Sequence, residues 1–443
     1  MLRQWFASND ALPAIWIEDT SITYQGLWQK IQELSFYFTQ QGIKAGDRAT
    51  FVAETSIHSI TTFFALLEIG ASPCLLSTRL PQQKIQDYLE AAKSSFFLDI
   101  KTSSIEQCKI DPVPQDQSIL LFTSGSSGSP KLASLKVEHF AASAQSSIKA
   151  LSLTSEGCFL LAVPLFHVSG LSILFRCLLS GSSIALTSDL LSGHPFVSHV
   201  SLVPTQLLRV LEKTSFKGSF FPHLKCALIG GAPISENLIQ KALEKAIPLY
   251  LTYGMTEMAS QITMTSQSDS FLSLHLGKPL PDKELSFASD GEILVKGSSL
   301  FNGYDTPLGP QKKLLEGGWF ATGDLGALDE DGNLRYKGRK DNLFISGGEN
   351  IYPEPIEEAL GTIAGVLQTL VIPLDDLEFG KRPVAFVHMA GPMLSKEEFQ
   401  ERLTSLLPKF CIPIHFLPFP REILEKSFKV ARSELREILL QKT

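Results

Sequence analysis

The six cysteines of this chain, Cys74, Cys108, Cys158, Cys177, Cys226 and Cys411, are scattered and form no Cys-x-x-Cys pair. A zinc site or a disulfide framework would need paired spacing. Neither is therefore suggested, and reduced, mostly buried thiols in a cytoplasmic protein are expected. Basic charge is short as well: 39 Lys and Arg stand against 46 Asp and Glu, a net charge of −7. There is no cationic surplus to neutralise phosphates, so no nucleic-acid partner is expected. No stretch reads as a transmembrane segment. The most apolar one, 159–179, contains Pro164, His167 and Arg176, whereas a spanning helix carries few or no charges over about 20 residues. It reads instead as buried strand, loop and helix. The first ten residues lack the apolar core of a signal peptide, and no low-complexity segment or fixed-period repeat is evident.

What remains is a globular composition, 44% apolar and 19% charged over 443 residues. That length exceeds one ordinary core, so two or three domains are expected. Short β-branched or apolar runs (49–53, 72–76, 118–122, 183–186, 199–203, 226–229, 248–251) alternate with amphipathic stretches such as 57–68 and 81–92. This alternation predicts α/β architecture, with parallel or mixed sheets covered by helices on both faces. Binding loops in such sheets lie beyond the carboxyl ends of strands. Between about 276 and 339 turn signals dominate, among them Asp290-Gly291, Asn302-Gly303 and Asp331-Gly332. A small β-rich subdomain is expected there, followed by a compact α+β piece of about 100 residues.

The stretch Thr123-Ser124-Gly125-Ser126-Ser127-Gly128-Ser129-Pro130-Lys131 closes an apolar run with glycines, hydroxyls and a lysine. Glycine accepts φ of either sign, and successive N–H groups in such a curl can converge on one anion. It reads as a phosphate cradle or, taken alone, as a plain Gly/Ser surface loop. It is not the nucleoside-triphosphatase loop, which needs Gly-Lys-Ser/Thr running straight into a helix. Here Pro130 precedes the lysine, and the helical pattern begins only near Glu138.

Further motifs follow in order: Gly230-Gly231-Ala232-Pro233, Tyr253-Gly254-Met255-Thr256-Glu257, Trp319-Phe320-Ala321-Thr322-Gly323-Asp324, Gly338-Arg339-Lys340-Asp341 and Ser346-Gly347-Gly348-Glu349-Asn350. Together with the first loop they resemble the acyl-adenylate-forming superfamily over essentially the whole chain. The resemblance implies a two-step ligase. A carboxylate attacks the α-phosphate of ATP and expels pyrophosphate; coenzyme A then takes the acyl group from AMP. It also implies a large AMP-binding domain, 1–340, and a small mobile C-terminal domain, 341–443, with Asp341 as the hinge residue.

By the same resemblance Thr123, Ser124, Gly125, Ser126, Gly128 and Lys131 hold the β- and γ-phosphates. Glu257 is the Mg²⁺ carboxylate and Thr256 its phosphate-side hydroxyl; the pair also reads as a helix N-terminus. Gly230, Gly231, Ala232, Tyr253 and Gly254 surround adenine. Asp324 accepts the ribose hydroxyls with Arg339 beside it. Gly347 and Gly348 line the pantetheine passage, although Ser346-Gly347-Gly348 also reads as a tight turn. The catalytic lysine departs from the common pattern, because Glu425 stands where a glycine precedes Lys426. Lys429-x-x-Arg432-x-x-Leu435 fits the other half of the motif, so Lys429 is preferred over Lys426.

The segments 164–170 (Pro-Leu-Phe-His-Val-Ser-Gly), 203–209 (Val-Pro-Thr-Gln-Leu-Leu-Arg) and 378–385 resemble the o-succinylbenzoate–CoA ligases of menaquinone biosynthesis. That substrate carries two carboxylates, one to be activated and one needing a donor. Arg176 and Arg209 are candidate partners for the second, since arginine suits carboxylates. A solvent-facing helix position or a structural ion pair is the alternative for each. His167 resembles the gatekeeping histidine, and Ser169 and Thr252 join it as acyl-site candidates. Another acyl-CoA ligase, an enzyme loading a carrier protein, and a non-catalytic ligand-binding relative are the competing readings. A homo-oligomer is left open.

Overall fold

The computed structural model describes all residues except 103, 109, 111–115, 124–130, 188–195, 213–221, 267–273, 307, 421, 424–429, 431 and 443. Two large sheets dominate. The first has nine strands in the order Lys278–Pro279, Ser260–Met264, Leu249–Met255, Cys226–Ile229, His199–Leu202, Cys158–Leu160, Ser183–Leu186, Pro13–Ile17 and Thr20–Thr23. From Leu249–Met255 to Pro13–Ile17 every neighbour is parallel. The second has seven, and its parallel centre is Ile119–Thr123, Ser72–Leu76, Arg48–Val52 and Phe96–Asp99. The mixed α/β class expected from the alternation is thus what the chain forms.

The parallel strands are covered on both sides, so they read as unbroken buried runs: every residue of Ser72–Leu76 and Cys226–Ile229 is buried. Between the two sheets lies the largest core. It holds Ile60, Phe63 and Phe64 of the helix Ile57–Glu68, Phe140 of Val137–Leu151, and Leu171 and Phe175 of Val168–Ser180. Phe140 stacks on Phe175 at 4.9 Å. Ser56 starts the first of these helices by accepting the Ser59 N–H at 3.2 Å, satisfying a donor the helix cannot. Cys226 and Leu228 point into this core, and Ala227 and Ile229 into a second one. The helices Val168–Ser180 and Pro204–Glu212 therefore cover opposite faces of the nine-stranded sheet.

The β-rich segment is less self-contained than its turns imply. Lys283–Phe287, Glu292–Gly297, Phe320–Leu328 and Leu334–Arg339 make a four-stranded antiparallel sheet. Lys278–Pro279 and Gly303–Tyr304, however, pair into the nine- and seven-stranded sheets. The last hundred residues form a three-stranded sheet of Val366–Asp376, Gly380–Met389 and His415–Pro418, with helices Pro353–Gly361, Lys396–Thr404 and Arg432–Lys442. None of the six cysteines forms a disulfide, and four of them are buried. Among the described residues no helix is long and apolar enough to cross a membrane.

His199 offers a stability test. It stacks on Phe159, shares a 2.8 Å hydrogen bond with Ser198 Oγ, and is pushed down to about 4 by burial. Its folded value lies below its unfolded one, so its contribution is full above the ordinary histidine range and is lost as pH falls toward 4. Lowering pH from 7.5 to 5 should cost about 2 kcal/mol through this residue. Thermal melts of the wild type and His199→Gln should converge by that amount at the lower pH. Parallel curves would refute the assignment.

Candidate active site

One strand–turn–strand segment, 252–260, reaches Asp324, Tyr304 and Arg176. The strand Leu249–Met255 brings Thr252, Tyr253 and Gly254 past the carboxyl end of the parallel sheet, because its neighbour Cys226–Ile229 stops opposite Leu251. Gly230 and Gly231 leave that neighbour as it ends. A Cβ on Gly230 would stand 2.7 Å from Thr252 Cγ2, and Gly231 has φ +80°, so the first is glycine for the close approach and the second for its left-handed backbone. Gly254 meets the same limit: a Cβ there would lie 2.1 Å from the Ser260 carbonyl oxygen.

At one end Tyr253 is buried and its hydroxyl donates to Asp324 Oδ2 at 2.7 Å. Burial first, then the Asp324 charge, raises the Tyr253 pKa well above the ordinary range, so the phenol stays a donor. Asp324 Oδ1 lies 3.3 Å from Arg339 Nη1, and Arg339 Nε donates to Asp341 Oδ1 at 2.9 Å. The residues expected at adenosine and the expected hinge residue are therefore one connected chain.

At the other end Thr256 and Glu257 form a single 3-10 turn, Thr256–Met258, rather than the start of a longer helix. Glu257 is buried. Its carboxylate accepts the Tyr304 hydroxyl, and its carbonyl accepts the Phe301 N–H at 2.8 Å. Thr123 and Lys131 face each other where their strands end, with the Lys131 ammonium 5.1 Å from the Tyr304 ring centroid. Ser124, Gly125, Ser126 and Gly128 lie outside the described residues, as do Lys426 and Lys429. Arg432, three positions after Lys429, is fixed: Nη2 lies 2.7 Å from Glu357 and 3.2 Å from Glu354.

The third part lies below Ser260. His167 is the exposed N-cap of the helix Val168–Ser180, with Ser169 in its first turn. Seven residues after Ser169, on the same helix face, Arg176 is 1% exposed. Its Nη2 donates to Ser172 Oγ at 3.0 Å and to Ser260 Oγ at 3.4 Å, while Nε and Nη1 have no hydrogen-bond partner. The solvent-facing alternative is corrected, because the side chain is buried; among the described residues the guanidinium has no carboxylate partner and lies 5.8 Å from the Phe159 ring centroid. Burial pulls its pKa down to about 10, so it remains charged at neutral pH. Arg209 is half-buried on the helix covering the opposite sheet face, so the fold does not group the two arginines on one face.

Gly347 and Gly348 form the two-residue turn of the hairpin Phe344–Ser346/Glu349–Ile351, with φ +58° and +88°. Positive φ at both positions is the tight-hairpin requirement. A Cβ on Gly347 would also stand 2.9 Å from the Phe379 ring, while one on Gly348 would meet nothing within 4 Å. Sequence reasoning missed Ser172, Ser260 and Tyr304. Tyr304 follows Asn302-Gly303, and only the turn was read there.

A mixed α/β fold brings a buried tyrosine–aspartate pair to one end of this segment and a buried glutamate, with a lysine across the Tyr304 ring, to the other. The chain belongs to the AMP-binding enzyme family, whose match spans residues 2–117 and 101–305. It is 32% identical to the 2-succinylbenzoate–CoA ligase of Bacillus cereus, over 99% of this chain and 98% of that one. Among solved structures it resembles an arginine-to-lysine variant of E. coli MenE with bound OSB-AMS: 28% identity, 100% and 98% coverage, TM-score 0.87. It also resembles the o-succinylbenzoate CoA synthetase of Bacillus subtilis in complex with the acyl-adenylate intermediate OSB-AMP: 29% identity, 98% and 97% coverage, TM-score 0.82. The Bacillus subtilis enzyme has also been solved with ATP and magnesium ion.

Proposed function

We propose that this chain is an ATP-dependent 2-succinylbenzoate–CoA ligase of the menaquinone route. The observation that carries the reading is Arg176. A fully buried guanidinium without a carboxylate costs several kcal/mol, and this one keeps two N–H-bearing nitrogens unpaired beside Ser260, on the segment that also carries Tyr253 and Glu257. An acid with a second carboxylate supplies the missing anion. Whole-length similarity to ligases named for that acid supports the same choice.

In this reading the activated carboxylate enters past His167, Ser169 and Thr252, and one of its oxygens bonds the α-phosphorus of ATP as pyrophosphate leaves. Thr123, Ser124, Gly125, Ser126, Gly128 and Lys131 hold the departing phosphates, and Lys429 meets the charge developing between carboxylate and α-phosphate. Asp324 and Arg339 hold the ribose; Tyr253, Gly254 and Gly230–Ala232 enclose adenine. No three metal-ligating side chains converge among the described residues. A Mg²⁺ ion accompanying ATP would therefore take Glu257 as its protein ligand and fill its shell with phosphate oxygens and water, as that ion prefers; bound, it supplies charge neutralisation.

The coenzyme A thiol then adds to the adenylate carbonyl, loses its proton, and AMP leaves. We assign this step to a turn of residues 341–443 against 1–340 about Asp341, bringing Gly347 and Gly348 to the pantetheine passage. Arg339, bonded to both Asp324 and Asp341, links the ribose site to that hinge. ATP and coenzyme A are cytoplasmic solutes, and the reaction belongs there.

The test is a panel with ATP, Mg²⁺ and coenzyme A, reading AMP and thioester together. It would hold 2-succinylbenzoate, benzoate, 4-hydroxybenzoate, a medium-chain fatty acid and several amino acids. Thioester from 2-succinylbenzoate should far exceed the rest. Preference for another acid would overturn the substrate, adenylate without thioester the acceptor, and no turnover at all the catalytic reading.

A further inference from the structure

Tyr304 belongs to none of the motifs, yet it touches both charges of the phosphate end. Its hydroxyl donates to Glu257, and its ring lies under the Lys131 ammonium at 5.1 Å. Lys131 and Glu257 make no ion pair with each other.

Its backbone is fixed from several sides. Tyr304 pairs with Ala133, two residues beyond Lys131, and exchanges hydrogen bonds of 2.7 and 2.8 Å with Gln311. The preceding Gly303 has φ +142°, and a Cβ there would sit 2.3 Å from the Gln311 carbonyl carbon. The following Asp305 is locked to Arg48 by two 2.8 Å bonds, in a pair whose side chains are 3% and 4% exposed. Phe301 meets the ring edge-on at 5.0 Å.

Resting on the reading of Glu257 as the carboxylate for the cation that accompanies ATP, we propose that Tyr304 is a positioning residue holding Glu257 and Lys131 apart and oriented. Opposite charges facing one empty phosphate site would otherwise be drawn into an ion pair, which each incoming nucleotide would have to break. Tyr304 satisfies the carboxylate with a neutral donor and the ammonium with a ring face. The site then meets the nucleotide with both charges already placed.

The experiment is ATP binding by calorimetry on the full chain, titrated with Mg²⁺ and repeated in a chelator, without any acyl substrate. Tyr304→Phe keeps the ring, the Phe301 contact and the Lys131 contact, and removes only the hydroxyl. It should raise the Mg²⁺ concentration for half-maximal enhancement of ATP binding about tenfold and weaken Mg²⁺-free binding by a smaller factor, because the ring still holds Lys131. Tyr304→Leu removes the ring as well and should weaken Mg²⁺-free binding further. An unchanged Mg²⁺ midpoint in Tyr304→Phe would overturn the proposal, and so would an equal loss with and without Mg²⁺. A wild type that binds no ATP would overturn the reading of the whole site with it. A wrong assignment of the acid imitates none of these results, because no acid is present.

Discussion

Lys429→Ala should reduce adenylate formation at least about 100-fold, the scale of losing one preorganised charge at a reacting centre. The same variant, given synthetic acyl-adenylate and coenzyme A, should form thioester at close to the wild-type rate. The two assays separate the half-reactions: pyrophosphate release reports the first, thioester from supplied adenylate the second. Lys429 is chosen over Lys426 on the spacing Lys-x-x-Arg-x-x-Leu. The later members of that spacing are well held. Arg432 Nε donates to the Val371 carbonyl at 3.2 Å, its Nη2 meets Glu354 and Glu357, and Leu435 is fully buried. Lys426→Ala should leave both assays near wild type. Equal loss from that substitution alone would reverse the choice.

Local chemistry was legible in the sequence wherever one segment carried it. The helix at 57–68 and the strands at 72–76, 183–186 and 226–229 run where periodicity and apolar runs place them. The glycines at 230 and 254 were read only as neighbours of adenine, whereas each stands where strands approach too closely for a side chain. Contacts joining distant segments left no such trace. Tyr304 reaches Glu257 only because Gly303 pairs with Ser134, a register between strands of different parts of the chain that no local pattern encodes. The β-rich segment misled for the same reason. Its turns are local, but two of its short strands complete sheets begun elsewhere. Arg176 was legible as an arginine near a substrate motif. Its burial was not, because a helix with one charge in an apolar run does not say which way that charge points. The loop 124–130, the plainest sequence signal, and Lys429, chosen where the motif departs from its common form, lie outside the described residues.

Arg176→Met gives the second large effect, with opposite signs in two assays. If the guanidinium serves a ligand carboxylate, its loss should raise the KM for 2-succinylbenzoate on the order of 100-fold, the cost of leaving a buried charge without its partner. A monocarboxylate of similar shape, lacking the ring carboxylate, should lose little or improve. Without substrate the variant should be as stable as the wild type or more so. Replacing a buried, poorly paired ion with an apolar side chain of similar volume is often neutral or stabilising, and Arg176 lacks a partner at Nε and Nη1. A structural arginine would behave the other way, destabilising the empty protein and slowing both acids alike. Arg209→Ala is the internal comparison. On the opposite sheet face and half-buried, it should discriminate between the two acids less than Arg176→Met does. A larger discrimination by Arg209 would move the second carboxylate to the other side of the sheet and leave the charge of Arg176 without a purpose in this chemistry.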